Sequence, residues 1–341
     1  MVPREIRRLR HQLACQRRAL EIARKRKNKH KVVAVPHRGR KKAFVRKVRL
    51  IPKAIACPSV LDFDDEPKGT AFFFHQLDTL LGGYSAAVEV DHRPLTKVSP
   101  AAALVLIAHL YRAKRRKPDL ELSAHLPETG EPRDMLGEIG YYRYFKDFDW
   151  KRPSSTQRFF FEHRRGEKVM PEFAEKMCEH WRSTDPEKTQ RLYAALVEGM
   201  GNATEWAYGG RTDGYRWWWM LGYRDAQTGE IAYSLYDQGL GIPATIRRKR
   251  NFLDFLPGLR PSDSELVERA VVEGRFSRSR QKGRGTGLPV LWEFVKDGAD
   301  GELLIFTNTS RCVFRHEKPI LRDEYTIGLR GTLISWNFRA S

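Results

Sequence analysis

Three short motifs stand in order along the C-terminal part of the chain, and together they restrict the folds open to it. Glu198-Gly199-Met200-Gly201-Asn202 comes first, Asp237-Gln238-Gly239-Leu240-Gly241 second, and Gly283-Arg284-Gly285-Thr286-Gly287-Leu288 third. Glu198 and Asn202 are four apart, so a helix over Pro186 to Ala207 sets them on one face. Asp237 closes an apolar run from Ala232 that predicts a strand, and glycines follow it at once. The third motif runs into Leu288 to Lys296, an apolar stretch that predicts a helix, so its glycines form a loop at a helix N-terminus. This is an alternation of helices and strands with polar groups held at the element ends.

Further elements are predicted around these motifs. Lys168 to Trp181 and Asp263 to Glu273 read as helices, the latter opened by Ser262 and Glu265 in a capping-box pattern. Asp213 to Tyr223, with Trp217, Trp218 and Trp219, reads as a buried strand. Leu303 to Thr307 and Thr332 to Phe338 read as closing strands. The residue types of the motifs suit a nucleotide. An Asn oxygen beside phosphates and waters suits Mg²⁺, a hard cation that takes oxygen ligands. A carboxylate on the same helix face can orient or deprotonate a nucleophile. Asp237 can accept a hydrogen bond from an exocyclic amine. Gly239 and Gly241 are expected to clear space for a flat ring. Backbone N–H groups at the third motif can cradle phosphate.

On these motifs the region resembles the ATPase superfamily of gyrase B, the large heat-shock chaperones, histidine kinases and MutL. The resemblance implies a Bergerat-type α/β sandwich over residues 150–341, with helices on one face of a mixed sheet, and ATP with Mg²⁺ as cofactors. It implies Glu198 as general base, Asn202 as magnesium ligand and Asp237 as adenine reader. By it Gly239 and Gly241 line the base pocket, and Gly283, Gly285 and Gly287 hold phosphates. Thr332 joins the adenine hydrogen-bond network, and Arg248 to Lys282 form a lid. Glu205 stands where histidine kinases place a basic residue, and none of the ten histidines, His11 included, lies in the sequence context of a phosphoacceptor.

Residues 59–149 predict a smaller α/β domain. Ala86 to Val90 and Leu120 to Ala124 read as strands. Between them Ser99-Pro100-Ala101 marks the start of a helix running to about Lys114. A strand, helix and strand in this order imply a parallel pair joined by a right-handed crossover. Val88-Glu89-Val90-Asp91, Ser99 to Leu104 and Leu120 to Pro127 resemble a STAS domain, which implies a protein partner and puts Ser99 near a phosphoacceptor position. Phe72, Phe73 and Phe74 are expected in the core.

The formal net charge of +20 is concentrated at one end, since residues 1–50 hold 19 Lys and Arg against Glu5 and Glu21. Residues 1–58 are therefore read as a basic arm, helical over Glu5 to Arg26 and then largely extended, with nucleic acid as a candidate partner. No apolar run reaches the roughly 20 residues that cross a bilayer. The four cysteines are far apart, with no Cys-x-x-Cys pair, so a reducing cytoplasmic setting is expected. Three functions remain open: a regulatory ATPase or serine protein kinase coupled to the STAS-like part, an ATP-driven clamp acting on nucleic acid, or a nucleotide-binding scaffold without turnover.

Overall fold

A computed structural model describes residues 52–128, 130–145, 159–181, 185–209, 216–248, 261–274, 287–296 and 301–339. The chain divides into two compact units, Met1–Ile51 and Pro52–Ser341, and every described residue lies in the second. The protein is mixed α/β. Strand β1 (Lys53–Ala56) falls inside the stretch read as basic arm, yet it pairs in parallel with β3 (Ala87–Asp91), so the folded unit begins earlier than residue 59.

The N-terminal part of the unit holds a three-stranded parallel sheet, β1-β3-β5, with β5 at Glu121–His125. A small parallel pair joins β2 (Val60–Leu61) to β4 (Lys97–Val98). Helix α1 spans Pro67–Gly82, α2 Pro100–Arg116 and α3 Gly130–Glu138, followed by a 3₁₀ turn at Tyr141–Tyr144. Helix α2 starts where the sequence places it. Ser99 is the cap and accepts from the Ala102 N–H at 3.3 Å, with Pro100 next. Its residues from Ala101 to Leu110 are all buried, because the helix is surrounded rather than laid on a surface. Helix α1 shares the proline at its first position, Pro67, but not the capping side chain. Its cap residue, Glu66, makes no side-chain cap bond, and Gly69 and Thr70 are poor helix formers. Tertiary contacts hold it instead. The Thr70 hydroxyl donates to the Asp62 carbonyl at 3.0 Å and accepts from the Asp62 N–H at 2.9 Å. Phe73 and Phe74 are buried as expected, whereas Phe72 is 45% exposed.

The C-terminal part is built on a five-stranded sheet in the order β6-β7-β8-β10-β9. The strands are β6 (Phe159–Gly166), β7 (Trp218–Asp225), β8 (Glu230–Asp237), β9 (Glu302–Arg315) and β10 (Leu321–Arg339). All four pairings are antiparallel, so this sheet is not the mixed sheet that the resemblance implied. Two hairpins explain much of that: β7 runs directly into β8, and β9 into β10. The helices are α4 (Pro171–Trp181), α5 (Pro186–Glu205), α6 (Ile242–Arg247), α7 (Asp263–Val272) and α8 (Pro289–Lys296). Asp185 caps α5 by accepting from the N–H groups of Glu187 and Lys188, and Ser262 and Glu265 form the capping box of α7.

Period-two alternation sorts the large sheet into two apolar faces. Trp218, Met220, Tyr233, Leu235, Ile305 and Trp336 pack under α4, α5, α7 and α8. Trp217, Trp219, Tyr236, Leu304, Phe306 and Leu333 pack on the other side, in one cluster with α1, α2 and the small parallel sheet. The Trp217 to Trp219 run is thus core on both faces. The helices of residues 150–341 that pack on this sheet, α4, α5, α7 and α8, lie on one face, as the resemblance implied, and α1 and α2 of the N-terminal part cover the other. Phe63 stacks on Phe74 with ring centres 5.6 Å apart and meets Phe306 of β9 at 5.3 Å. Buried Arg311 of β9 pairs with Asp64, in the β2–α1 connection, and with Asp323 of β10 at 2.8 Å.

Candidate functional site

Asp237 is the last residue of β8, a central strand, and is 4% exposed. It stands in register with Thr332 on β10, which stands in register with Thr307 on β9. The alternation that puts Leu235, Ile334 and Ile305 beneath α5 puts these three polar residues on the same face. The Thr332 and Thr307 hydroxyls lie 3.1 Å apart, and Thr307 also accepts from the Ile242 N–H at 3.0 Å. A carboxyl and two threonines therefore form a row across three strands at one end of the sheet. One oxygen of Asp237 accepts from the Gly239 N–H at 2.7 Å. Burial pushes the Asp237 carboxyl up to about 7, and the backbone bonds from Gly239 and Thr332 offset only part of that rise.

The turn after Asp237 is fastened to the end of α5. The Leu240 N–H donates to the Ala207 carbonyl at 2.6 Å, and the Gln238 N–H donates to the Tyr208 hydroxyl at 3.2 Å. Helix α5 presses its face of Leu192, Ala195, Leu196, Gly199 and Met200 onto the sheet. A Cβ at Gly199 would lie 3.4 Å from Leu235 and 3.6 Å from Trp336. Glu198 and Asn202 share this helix with Ala203, two turns or less from the fastened end. Glu198 is half-buried, and burial followed by the nearby Glu205 carboxylate raises its pKa. The Asn202 amide nitrogen is buried and has no hydrogen-bond partner. The structure thus brings Glu198, Asn202, Asp237 and Thr332 to one side and one end of the sheet.

The glycines of the second motif have a different use from the one expected. A Cβ at Gly239 would lie 2.2 Å from the Ala207 carbonyl oxygen, so its bareness lets α5 close on the turn. Gly241 has φ +85°, and a Cβ there would lie 2.3 Å from the Asn308 amide, which donates to the Leu240 carbonyl at 2.8 Å. Both gaps are filled by protein and not left clear for a ring. Gly331 has φ +88° and lies against the Asp237 carbonyl. Gly283 and Gly285 fall outside the described residues. Gly287, at φ +82°, is described, and its carbonyl accepts from the Val290 N–H at the start of α8. That helix packs on α5. Of the lid stretch, residues 261–274 are described and contain α7, while 249–260 and 275–282 lie outside the description. His11 lies outside it too. Ser99 is engaged as the cap of α2.

Sequence reasoning passed over Thr307, Asn308, Tyr208 and Gln238. Thr307 had a faint signal, a polar residue closing an apolar strand, as Asp237 closes β8. Tyr208 and Asn308 had none, since their partners lie 30 and 68 residues away. Among the described residues no helix is long and apolar enough to cross a membrane, and no group of three or more His, Cys, Asp or Glu could hold a metal ion. No protein-family model matches the chain, and no curated protein matches it.

Proposed function

We propose that the chain binds ATP with Mg²⁺ on the α5 face of the large sheet and acts as a nucleotide-dependent regulatory switch, an ATPase or serine protein kinase, in a Bergerat-type domain joined to a STAS-like part. The observation that carries this reading is the buried Asp237 in register with Thr332 and Thr307. A buried carboxyl has a large desolvation cost, which the Gly239 and Thr332 N–H groups offset only in part, and a donor on a ligand would offset more of it. An exocyclic amine is such a donor, and the row of hydroxyls extends the network beside it.

Asn202 and Glu198 suit the phosphate end. The orphaned Asn202 amide can turn about its terminal bond, and its oxygen then becomes available to a hard cation. One such ligand, with phosphate oxygens and water, matches the few protein ligands that Mg²⁺ usually takes. Glu198, with its raised pKa on the same helix face, is placed to orient a nucleophile and accept its proton. The test is isothermal calorimetry of Mg-ATP with the parent and Asn202→Ala, followed by incubation with ATP labelled at the γ-phosphate. We expect micromolar binding that Asn202→Ala weakens at least tenfold in magnesium. Label on protein identifies a kinase, and free phosphate an ATPase. Absence of ATP binding by the parent overturns the reading.

A further inference from the structure

Strand β9 reverses its alternation beside the candidate site. Leu304 and Phe306 belong to the cluster under α1 and α2, whereas Cys312 and Phe314, also at even positions, belong to the cluster under α5. A regular strand would keep all four on one face. The break falls at Asn308, whose φ is +52°, in the left-handed region that asparagine tolerates better than most residues. The pairing of β9 with β10 shifts register on either side of Asn308 and its partner Leu329. This is a β-bulge, and the Ser310 hydroxyl braces it by donating to the Thr307 carbonyl at 3.1 Å.

The bulge brings two consecutive side chains to the turn after Asp237, which ordinary alternation forbids. Thr307 accepts from the Ile242 N–H at 3.0 Å, and the Asn308 amide donates to the Leu240 carbonyl at 2.8 Å. The Thr307 hydroxyl also lies 3.1 Å from the Thr332 hydroxyl and 3.3 Å from the Gly331 carbonyl. Thr307 thus has one proton and two acceptors for it. Given to Gly331, that proton leaves Thr332 to donate to Thr307. Given to Thr332, it leaves the Thr332 proton free to point along the row. In either arrangement the Thr332 hydroxyl has a fixed partner. We infer that Thr307 and Asn308 are positioning residues for the base end of the nucleotide site. Thr307 orients the Thr332 hydroxyl, and the pair holds the turn from Leu240 to Ile242 against β9. The inference rests on the reading of Asp237 and Thr332 as the residues that meet adenine.

The experiment is calorimetry of ATP, with and without Mg²⁺, on the parent, Thr307→Val, Thr307→Ser and Asn308→Gly, alongside thermal unfolding of each. Thr307→Val keeps the side-chain shape and removes the hydroxyl, whereas Thr307→Ser keeps the hydroxyl and removes a methyl. Both should lower Tm by roughly 2–4 °C. ATP affinity should fall about tenfold in Thr307→Val, the effect of about one hydrogen bond, and stay within about threefold of the parent in Thr307→Ser. A purely structural residue would let affinity follow stability in both variants. The loss should be equal with and without Mg²⁺, as suits the base end, whereas that of Asn202→Ala needs the metal. Asn308→Gly keeps the left-handed backbone and removes the amide. It should weaken ATP about fivefold, and it decides the matter if Thr307→Val does not fold. The inference is overturned if Thr307→Val or Asn308→Gly binds ATP as tightly as the parent. It is equally overturned if Thr307→Ser loses as much as Thr307→Val, or if the loss appears only with Mg²⁺. A parent that binds no ATP overturns the nucleotide reading and this inference together, whereas a binding parent with unaltered variants overturns this inference alone.

Discussion

The two faces of the large sheet are buried to a similar degree but are put to different uses. The face under α1 and α2 is joined by aromatic contacts: Phe63 between Phe74 and Phe306, His109 stacked on Tyr236 at 6.0 Å, and Tyr111 edge-on to Trp217 at 5.1 Å. The face under α5 is equally apolar through its middle, but its last row is Asp237, Thr332 and Thr307. There a carboxyl is kept where water cannot reach it, at a cost that packing elsewhere offsets. Face for face, an apolar contact stabilises wherever it forms, whereas a buried carboxyl is costly even with the Gly239 and Thr332 N–H groups donating to it. That contrast separates scaffold from site in this molecule better than depth of burial does.

The largest expected effect tests the scaffold side. Phe63→Ala should destabilise the protein by about 3–5 kcal/mol, the usual cost of emptying an aromatic site in a core. Because Phe63 touches both α1 and β9, guanidinium unfolding followed by tryptophan fluorescence and by far-ultraviolet circular dichroism should give coincident transitions. Separate transitions would mean that the two parts do not share one core.

Asp237→Asn should have the opposite effect on stability. The folded pKa of Asp237, about 7, exceeds the unfolded value, so its contribution is full below about pH 4 and is lost as pH rises through 7. Asn stays neutral and can still accept from Gly239. At pH 8 the variant should therefore be more stable by about 2–4 kcal/mol in urea denaturation, while losing ATP binding. For the parent, ATP affinity should fall about tenfold per pH unit below 7, since the acceptor form of the carboxyl is then the minority species. A variant that is less stable at pH 8, or that binds ATP as tightly as the parent, would remove Asp237 from the site.

Glu198→Ala lies next in size. Turnover should drop about 100-fold with ATP affinity within threefold of the parent, because proton acceptance matters only in the chemical step. Normal phosphate release by purified variant over many turnovers would reassign Glu198 to helix packing. The smallest effect concerns the scaffold again. Ser99→Ala removes the cap of α2 and should cost about 1 kcal/mol, without changing ATP affinity. Loss of ATP binding in that variant would show that the two faces are more tightly coupled than their separate packing suggests.

Element ends were legible where the signal is local. Ser99-Pro100 opened α2, Ser262 and Glu265 opened α7, and Asp237 closed β8, because capping bonds and apolar periodicity act within a few residues. Helix α1 and strand β6 escaped notice for the complementary reason. Helix α1 lacks a side-chain bond from its cap residue, and contacts with Asp62 and Phe63 secure it from elsewhere. The expected mixed sheet came from the resemblance, and local pattern has no means to count strand pairings.

By itself, the amino-acid sequence determined the α/β alternation, the helix shared by Glu198 and Asn202, and a carboxyl set at the end of a strand before glycines. These follow from periodicity and from backbone preferences that each short segment carries alone. Only the tertiary structure decided that Asp237 lies beside Thr332 and Thr307, that Gly239 is bare for Ala207, and that α1 and α2 seal the second face. Register between strand residues 95 and 25 apart along the chain, and withdrawal from water, depend on what the rest of the molecule places nearby. A residue's burial and partners are properties of the assembled core, and no window of sequence contains that information.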